Sequence, residues 1–310
     1  MSLEPRGFVD LPAHRGEGGF DHAAIHGPAG HLYVAHPAND SVDIIDLREN
    51  RYLRSATGLK GVAGVLVSED RNLVFTSNRG EDTVSLFEEG KEADAVKVKV
   101  GLHPNGLAFA PGHRLLLAAN VGDPSIPRST TVSLVDTAAR AMLADLPVPG
   151  RTRWTLYDSK TRAFYVNIRD PPEIVVIDAP HPDRIARVLP VPAGGPHGLD
   201  LDPIRGRLYC ACDDGKLVVL NRSSGEVLGE RPLSGAPDVV FLNGRLDRLY
   251  VAIGDPGVID VFDTRTLDRV ESRPTERGAH TLAFDPTRDR VYAFLPASHR
   301  AAVFEDVEPA

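Results

Sequence analysis

The stretch Gly206-Arg-Leu-Tyr-Cys-Ala-Cys212 decides the fold, because it is one of seven copies of the same short strand. His31-Leu-Tyr-Val-Ala-His, Asn72-Leu-Val-Phe-Thr-Ser-Asn, Arg114-Leu-Leu-Leu-Ala-Ala-Asn and Arg162-Ala-Phe-Tyr-Val-Asn repeat it, as do Asp247-Arg-Leu-Tyr-Val-Ala-Ile and Asp289-Arg-Val-Tyr-Ala-Phe. An alternating strand such as Gly198-Leu-Asp-Leu-Asp-Pro precedes each copy, and a polar loop with a second apolar run such as Val258-Ile-Asp-Val-Phe-Asp follows it. Most units end on a more polar strand, as in Arg184-Ile-Ala-Arg-Val-Leu. Aligned on their first strands, the units start at His22, Ala63, Asn105, Arg153, His197, Asp238 and His280, at intervals of 41, 42, 48, 44, 41 and 42 residues. Four short strands recurring at about 40–45 residues predict an all-β, seven-bladed propeller of four-stranded antiparallel blades.

The ends of the chain fit the same scheme. After Ala301-Ala-Val-Phe-Glu, the third strand of unit seven, only five residues remain. The segment Arg6-Gly-Phe-Val-Asp-Leu (6–11) is therefore expected to supply the missing strand, close the ring and remove an exposed edge. The whole chain, 1–310, reads as one propeller domain. The longest unit carries its extra residues around Asp123-Pro-Ser-Ile-Pro-Arg-Ser, between its second and third strands.

Composition narrows the function. A hydrophobic fraction of 42% excludes a disordered chain, and no charge-free apolar run approaches the ~20 residues of a membrane span. A net charge of −8 argues against a nucleic-acid groove or a polybasic membrane patch as the main business of the surface. The small-molecule substrate expected here rests on the channel-mouth residues described below. Two cysteines, Cys210 and Cys212, exclude a disulfide framework and read as small buried hydrophobes. No basic segment leading into an apolar one follows Met1, so a cytoplasmic monomer is expected. The phosphate loop, the dinucleotide fingerprint, the Ser nucleophile elbow and the H-E-x-x-H motif are all missing from the sequence.

Tyr33-Val-Ala-His with Val42-Asp-Ile-Ile-Asp, and Phe75-Thr-Ser-Asn with Thr83-Val-Ser-Leu-Phe, resemble the repeat of the YVTN family of seven-bladed propellers. The resemblance covers residues 20–305. It implies the fold and is compatible with lactonases, lyases, cofactor-bearing enzymes and propellers without chemistry.

In a propeller the first strand of each blade lines the central channel, so the seven aligned starts form a ring at its mouth. Blades five, six, seven and one contribute His197, Asp238, His280 and His22, three imidazoles and a carboxylate on adjacent blades. That set suits Zn, Mn, Fe, Ni or Cu better than calcium, with Asp238 as fourth ligand or nearby base. Opposite them, Arg153 and Asn105 are expected to hold a substrate anion or developing oxyanion. His103, Trp154, Asn78 and Arg169 read as further substrate contacts, and His36 as a general acid–base. The resulting expectation is a metal-dependent hydrolase acting on a lactone or related small ester, by resemblance to propeller lactonases. A metal-dependent lyase similar to virginiamycin B lyase, or a scaffold propeller with a protein partner, are the alternatives.

Overall fold

The computed structural model describes residues 3–308, and the terminal residues 1–2 and 309–310 lie outside the described part. It holds seven four-stranded antiparallel sheets. Their innermost strands begin at Ala23, Val62, Pro104, Thr152, Pro196, Pro237 and Leu282, each within two residues of the start read from the repeat. Consecutive innermost strands pack side by side, and that of blade seven packs against that of blade one, which completes the ring. The described helical structure consists of three 3-10 turns, Pro37–Asn39, Glu69–Arg71 and Glu92–Asp94. The extra residues of the longest unit form the connection between strands Leu115–Asn120 and Thr131–Asp136.

The core lies between neighbouring blades rather than at the centre of the molecule. Leu117 and Ala119 of blade three pack with Phe164, Val166 and Val175 of blade four in one apolar cluster. The same face-to-face arrangement joins Tyr33 and Ile44 of blade one to Val62 and Val74 of blade two. The repeated Tyr has a second task. Its ring is buried in the second strand of blades one, four, five, six and seven, and in three of them its hydroxyl reaches the next blade. Tyr33 bonds Glu89 at 3.3 Å, Tyr250 bonds Asp306 at 2.7 Å and Tyr292 bonds Asn50 at 2.9 Å. A buried ring that also satisfies its hydroxyl fixes the register between sheets, which an aliphatic side chain cannot do.

Ring closure follows the expectation and extends it. Leu3–Asp10 pairs antiparallel with Arg300–Asp306 and forms the outermost strand of blade seven, with Leu3 and Val9 buried. Deleting residues 1–11 removes both side chains, each worth about 2 kcal/mol of burial, and bares the edge of Arg300–Asp306. The expected result in a calorimetric melt is a fall in Tm of about 10 °C. An unchanged Tm would show that the closing strand contributes nothing.

The Asp-Pro pairs behave as turn formers. Asp202 accepts the amides of Ile204 and Arg205, and Asp285 accepts that of Thr287. Cys210 and Cys212 are free, buried and in sulfur contact at 3.8 Å within an apolar cluster.

Candidate functional site at the channel mouth

A local distortion places the ring residues. In five blades the pairing of the innermost strand slips at its start, between Val62 and Gly64, Pro104 and Leu107, Thr152 and Thr155, Pro196 and Gly198, and Pro237 and Val240. Each slip spans the ring position itself, namely Ala63, Asn105, Arg153, His197 or Asp238. An extra residue in an innermost strand is left unpaired and re-aims its side chain, here at the end of the strand that lines the channel. The glycine that follows is required in three blades. A Cβ on Gly64, Gly106 or Gly198 would lie 2.2–2.6 Å from the carbonyl oxygen of Asn105, Arg153 or Asp238, the ring residue of the next blade.

Blade four breaks this pattern. Trp154 stands in its innermost strand where Gly106 stands in blade three. Its ring packs at a tilt against His22 of blade one at 4.3 Å and meets Phe241 of blade six edge-on at 6.3 Å. The sole Trp of the chain thus spans the channel and separates the mouth from the space below.

Above Trp154, carboxylates and imidazoles alternate around half the ring. Asp213 accepts from His197 Nδ1 at 2.8 Å, and His197 Nε2 lies 3.2 Å from Asp238. Asp238 accepts in turn from His280 Nδ1 at 2.7 Å. Asp21 lies 3.5 Å from His22 Nε2 at the end of the series. Burial alone would lower the pKa of His197, but Asp238 and Asp213 outweigh it and raise the value to about 9. For His280, too, burial is outweighed, chiefly by the hydrogen bond to Asp238, and the pKa rises. Burial would raise the pKa of Asp238, yet His197 and His280 hold it well below the usual carboxylate range. His22 is different, since burial lowers its pKa against the pull of Asp21 and Asp238, and it is neutral at pH 7.

The other half of the ring is basic. Arg153 lies 3.7 Å from Asp213, and Arg169 lies 3.1 Å from it. Arg151 and Arg79 make no ion pair among the described residues. The guanidinium pKa of Arg151 is lowered first by burial and then by Arg79 and Arg169, and that of Arg153 by burial and then Arg151. Like charges held together without matching carboxylates are the electrostatic form of an anion site. Two buried polar atoms at the ring, Arg153 Nε and Asn105 Oδ1, have no hydrogen-bond partner. A cavity of about 750 Å³ continues from this side, between Arg79, His103, Arg151 and the loop 121–130.

The expected site residues therefore divide. His22, Asn105, Arg153, Trp154, His197, Asp238 and His280 come together at the mouth, with Arg169 beside them and His103 in the adjoining cavity. His36 does not join them. It is buried in blade one between Asp43 at 2.7 Å and His14 at 2.7 Å, so it has no free nitrogen for acid–base work on a ligand. Asn78 is buried in blade two, where its amide donates to Thr83 and Ser85, a structural task. His14 and His299 are half-buried and in ring contact at 4.3 Å.

The donor set was also tested against a bound metal. No group of three or more His, Cys, Asp or Glu among the described residues is arranged to hold one. His197 has both ring nitrogens on carboxylates, which leaves it no free lone pair, whereas His280 is held only through Nδ1 and keeps Nε2 open. Arg151 is the member of the site that the sequence reading left out, although it lies two residues before a ring position and so within reach of the repeat alignment.

Comparison with known proteins supports the architecture and nothing finer. No family model matches the chain, and no curated protein sequence resembles it significantly. Among solved structures, hydrazine synthase of Kuenenia stuttgartiensis superposes with a TM-score of 0.81 at 14% identity, over 97% of both chains. A chain of a mitotic checkpoint complex superposes with a TM-score of 0.82 at 11% identity, over 98% of this chain and 92% of that one. At such identities the likeness is one of fold. The chain is a seven-bladed β-propeller. No described helix is long and apolar enough to cross a membrane.

Proposed function

We propose that the channel mouth binds a small organic anion carrying a carboxylate and performs acid–base chemistry on it without a resident metal. The observation that carries this reading is the concentration of Arg79, Arg151, Arg153 and Arg169 beside His197, on a chain whose net charge is −8. The nearby carboxylates Asp213 and Asp238 are already matched by His197 and His280, so the added charge of a ligand falls to the arginines. His280 is the most exposed imidazole of the series, with 39% of its side chain accessible. Its Nδ1 is held by Asp238, which leaves Nε2 to donate a proton to an oxygen that develops charge. Asp238 acts as the positioning residue that keeps His280 charged and oriented. Arg153 and Asn105 supply the donors for the anion. Lactone opening and elimination both place negative charge on oxygen and both fit this arrangement.

Calorimetric titration of EDTA-dialysed protein with malonate at pH 7 tests the reading, together with elemental analysis of untagged material. The expected result is saturable one-to-one binding by protein that carries far less than one metal per chain. The metal-dependent hydrolase remains the second reading, favoured by the convergence of His197, His280 and His22 around Asp238. It requires a metal to displace the protons of His197 and His280. Malonate binding that disappears in EDTA and returns with Zn or Mn would replace our proposal with it.

A further inference from the structure

The space below Trp154 shares only Trp154 and His22 with the mouth. It is a cavity of about 530 Å³, within the range of small-molecule sites. Trp154 and His22 line its inner end, and Phe109, Tyr157, Phe241 and Phe284 line its walls. The chain has only 11 Phe, 7 Tyr and 1 Trp, and five of these side chains converge here. Filling a channel does not demand aromatic rings, since blades one and two contribute Ile25 and Leu66 to the same lining.

The charges of this cavity have the opposite sign to those of the mouth. Glu69 and Asp70, both exposed in the turn Glu69–Arg71, lie at its open end. No Lys or Arg lines it, and the one base that does, His22, is kept neutral by burial. Glu69 accepts the amide of Gly27 through Oε1 at 2.7 Å. The neighbouring Arg71 donates to the carbonyl of Pro111, itself a lining residue, at 2.9 Å, so its guanidinium stands at the rim beside the two carboxylates without entering the lining.

We propose that this lower cavity is a second ligand site, which takes an organic cation with an apolar body, an aryl- or alkylammonium. Aromatic faces attract a desolvated ammonium through their quadrupole, and Trp does so best. The apolar body of such a ligand gains the burial offered by Ile25, Leu66 and Phe284, while Glu69 and Asp70 face the charge at the open end.

The test uses the full chain and the single Trp. Phenyltrimethylammonium and its uncharged isostere tert-butylbenzene are titrated while Trp154 fluorescence and heat are followed in parallel. The cation is expected to bind saturably and about 5-fold more tightly than the isostere. The double variant Glu69→Gln with Asp70→Asn changes exposed side chains and keeps the Glu69 carbonyl acceptor, so it should fold. In that variant the preference for the cation should shrink while the isostere binds as before. Equal affinities for the two probes, no saturable signal in either measurement, or an unchanged preference in the double variant would overturn the proposal.

Discussion

Arg153→Gln is expected to weaken malonate binding about 100-fold at pH 7 while leaving the fold intact. Arg153 sits on a ring position re-aimed by the slip in its strand, with its side chain only 15% accessible and Nε without a partner. Its contact with Asp213 is long, at 3.7 Å, because Asp213 is already bonded to His197 and Arg169. The guanidinium is thus desolvated but not neutralised, and a bound carboxylate would supply the missing partner. Truncating one partner of a buried, hydrogen-bonded charge pair costs about 2–5 kcal/mol, and a 100-fold loss corresponds to about 2.7 kcal/mol. Arg169→Gln should lose far less, because Arg169 is 48% accessible and water screens its charge. Isothermal titration of the two variants against the parent chain measures both losses. Equal and small losses would mean that the arginines are a solvated rim and not a binding site.

Asp238→Asn is expected to lower the Tm by about 5–10 °C and to strip the mouth of its cationic imidazoles. One carboxylate, only 18% accessible, serves His197 at 3.2 Å and His280 at 2.7 Å. Removing its charge leaves the buried His197 cation short of a partner and frees His280 from its anchor, and breaking a buried pair in this way costs about 3 kcal/mol. The linkage has a definite sign. The pKa of His197 is raised from its ordinary 6.5 to about 9, so its stabilisation is full below pH 6.5 and is lost as the pH rises through 9. The pKa of Asp238 is depressed, so its stabilisation is full above its ordinary 3.8 and is lost as the pH falls further. Calorimetric melts of the parent chain should therefore be highest between about pH 4 and 6.5 and decline toward pH 9. The variant should show a much flatter alkaline limb. Parallel curves for the two proteins would contradict the linkage between Asp238 and the imidazoles.

The fold was legible because a propeller writes its architecture into a period. Seven copies of one short strand, Tyr-centred in five of them, locate the blades, and the lack of a fourth strand after Ala301–Glu305 indicates that the N-terminus closes the ring. The ring residues were legible for the same reason, since alignment converts sequence position into position around the channel. The state of those residues was not. Whether three imidazoles ligate a metal or take protons from carboxylates depends on distances of a few tenths of an ångström among Asp213, His197, Asp238 and His280. No spacing in the sequence encodes such distances. His36 and Asn78 were misread because the end of a second strand can face either the mouth or the next strand of its own blade. Asp43 and Ser85, which claim them, lie on third strands whose register only the folded sheet reveals. Trp154 carried a signal that alignment exposes, a bulky ring where three other blades have Gly64, Gly106 and Gly198.

The protonation state of His197 is the most direct test of a mouth built from paired cations. Imidazole nitrogen NMR across pH 5–10, on EDTA-treated protein labelled at histidine, measures it. Our account predicts that His197 stays doubly protonated at pH 7, titrates near 9 and does not respond to one equivalent of Zn at neutral pH. A neutral His197 at pH 7, or a stoichiometric shift of its nitrogen on adding Zn, would contradict the account and return the site to a metal.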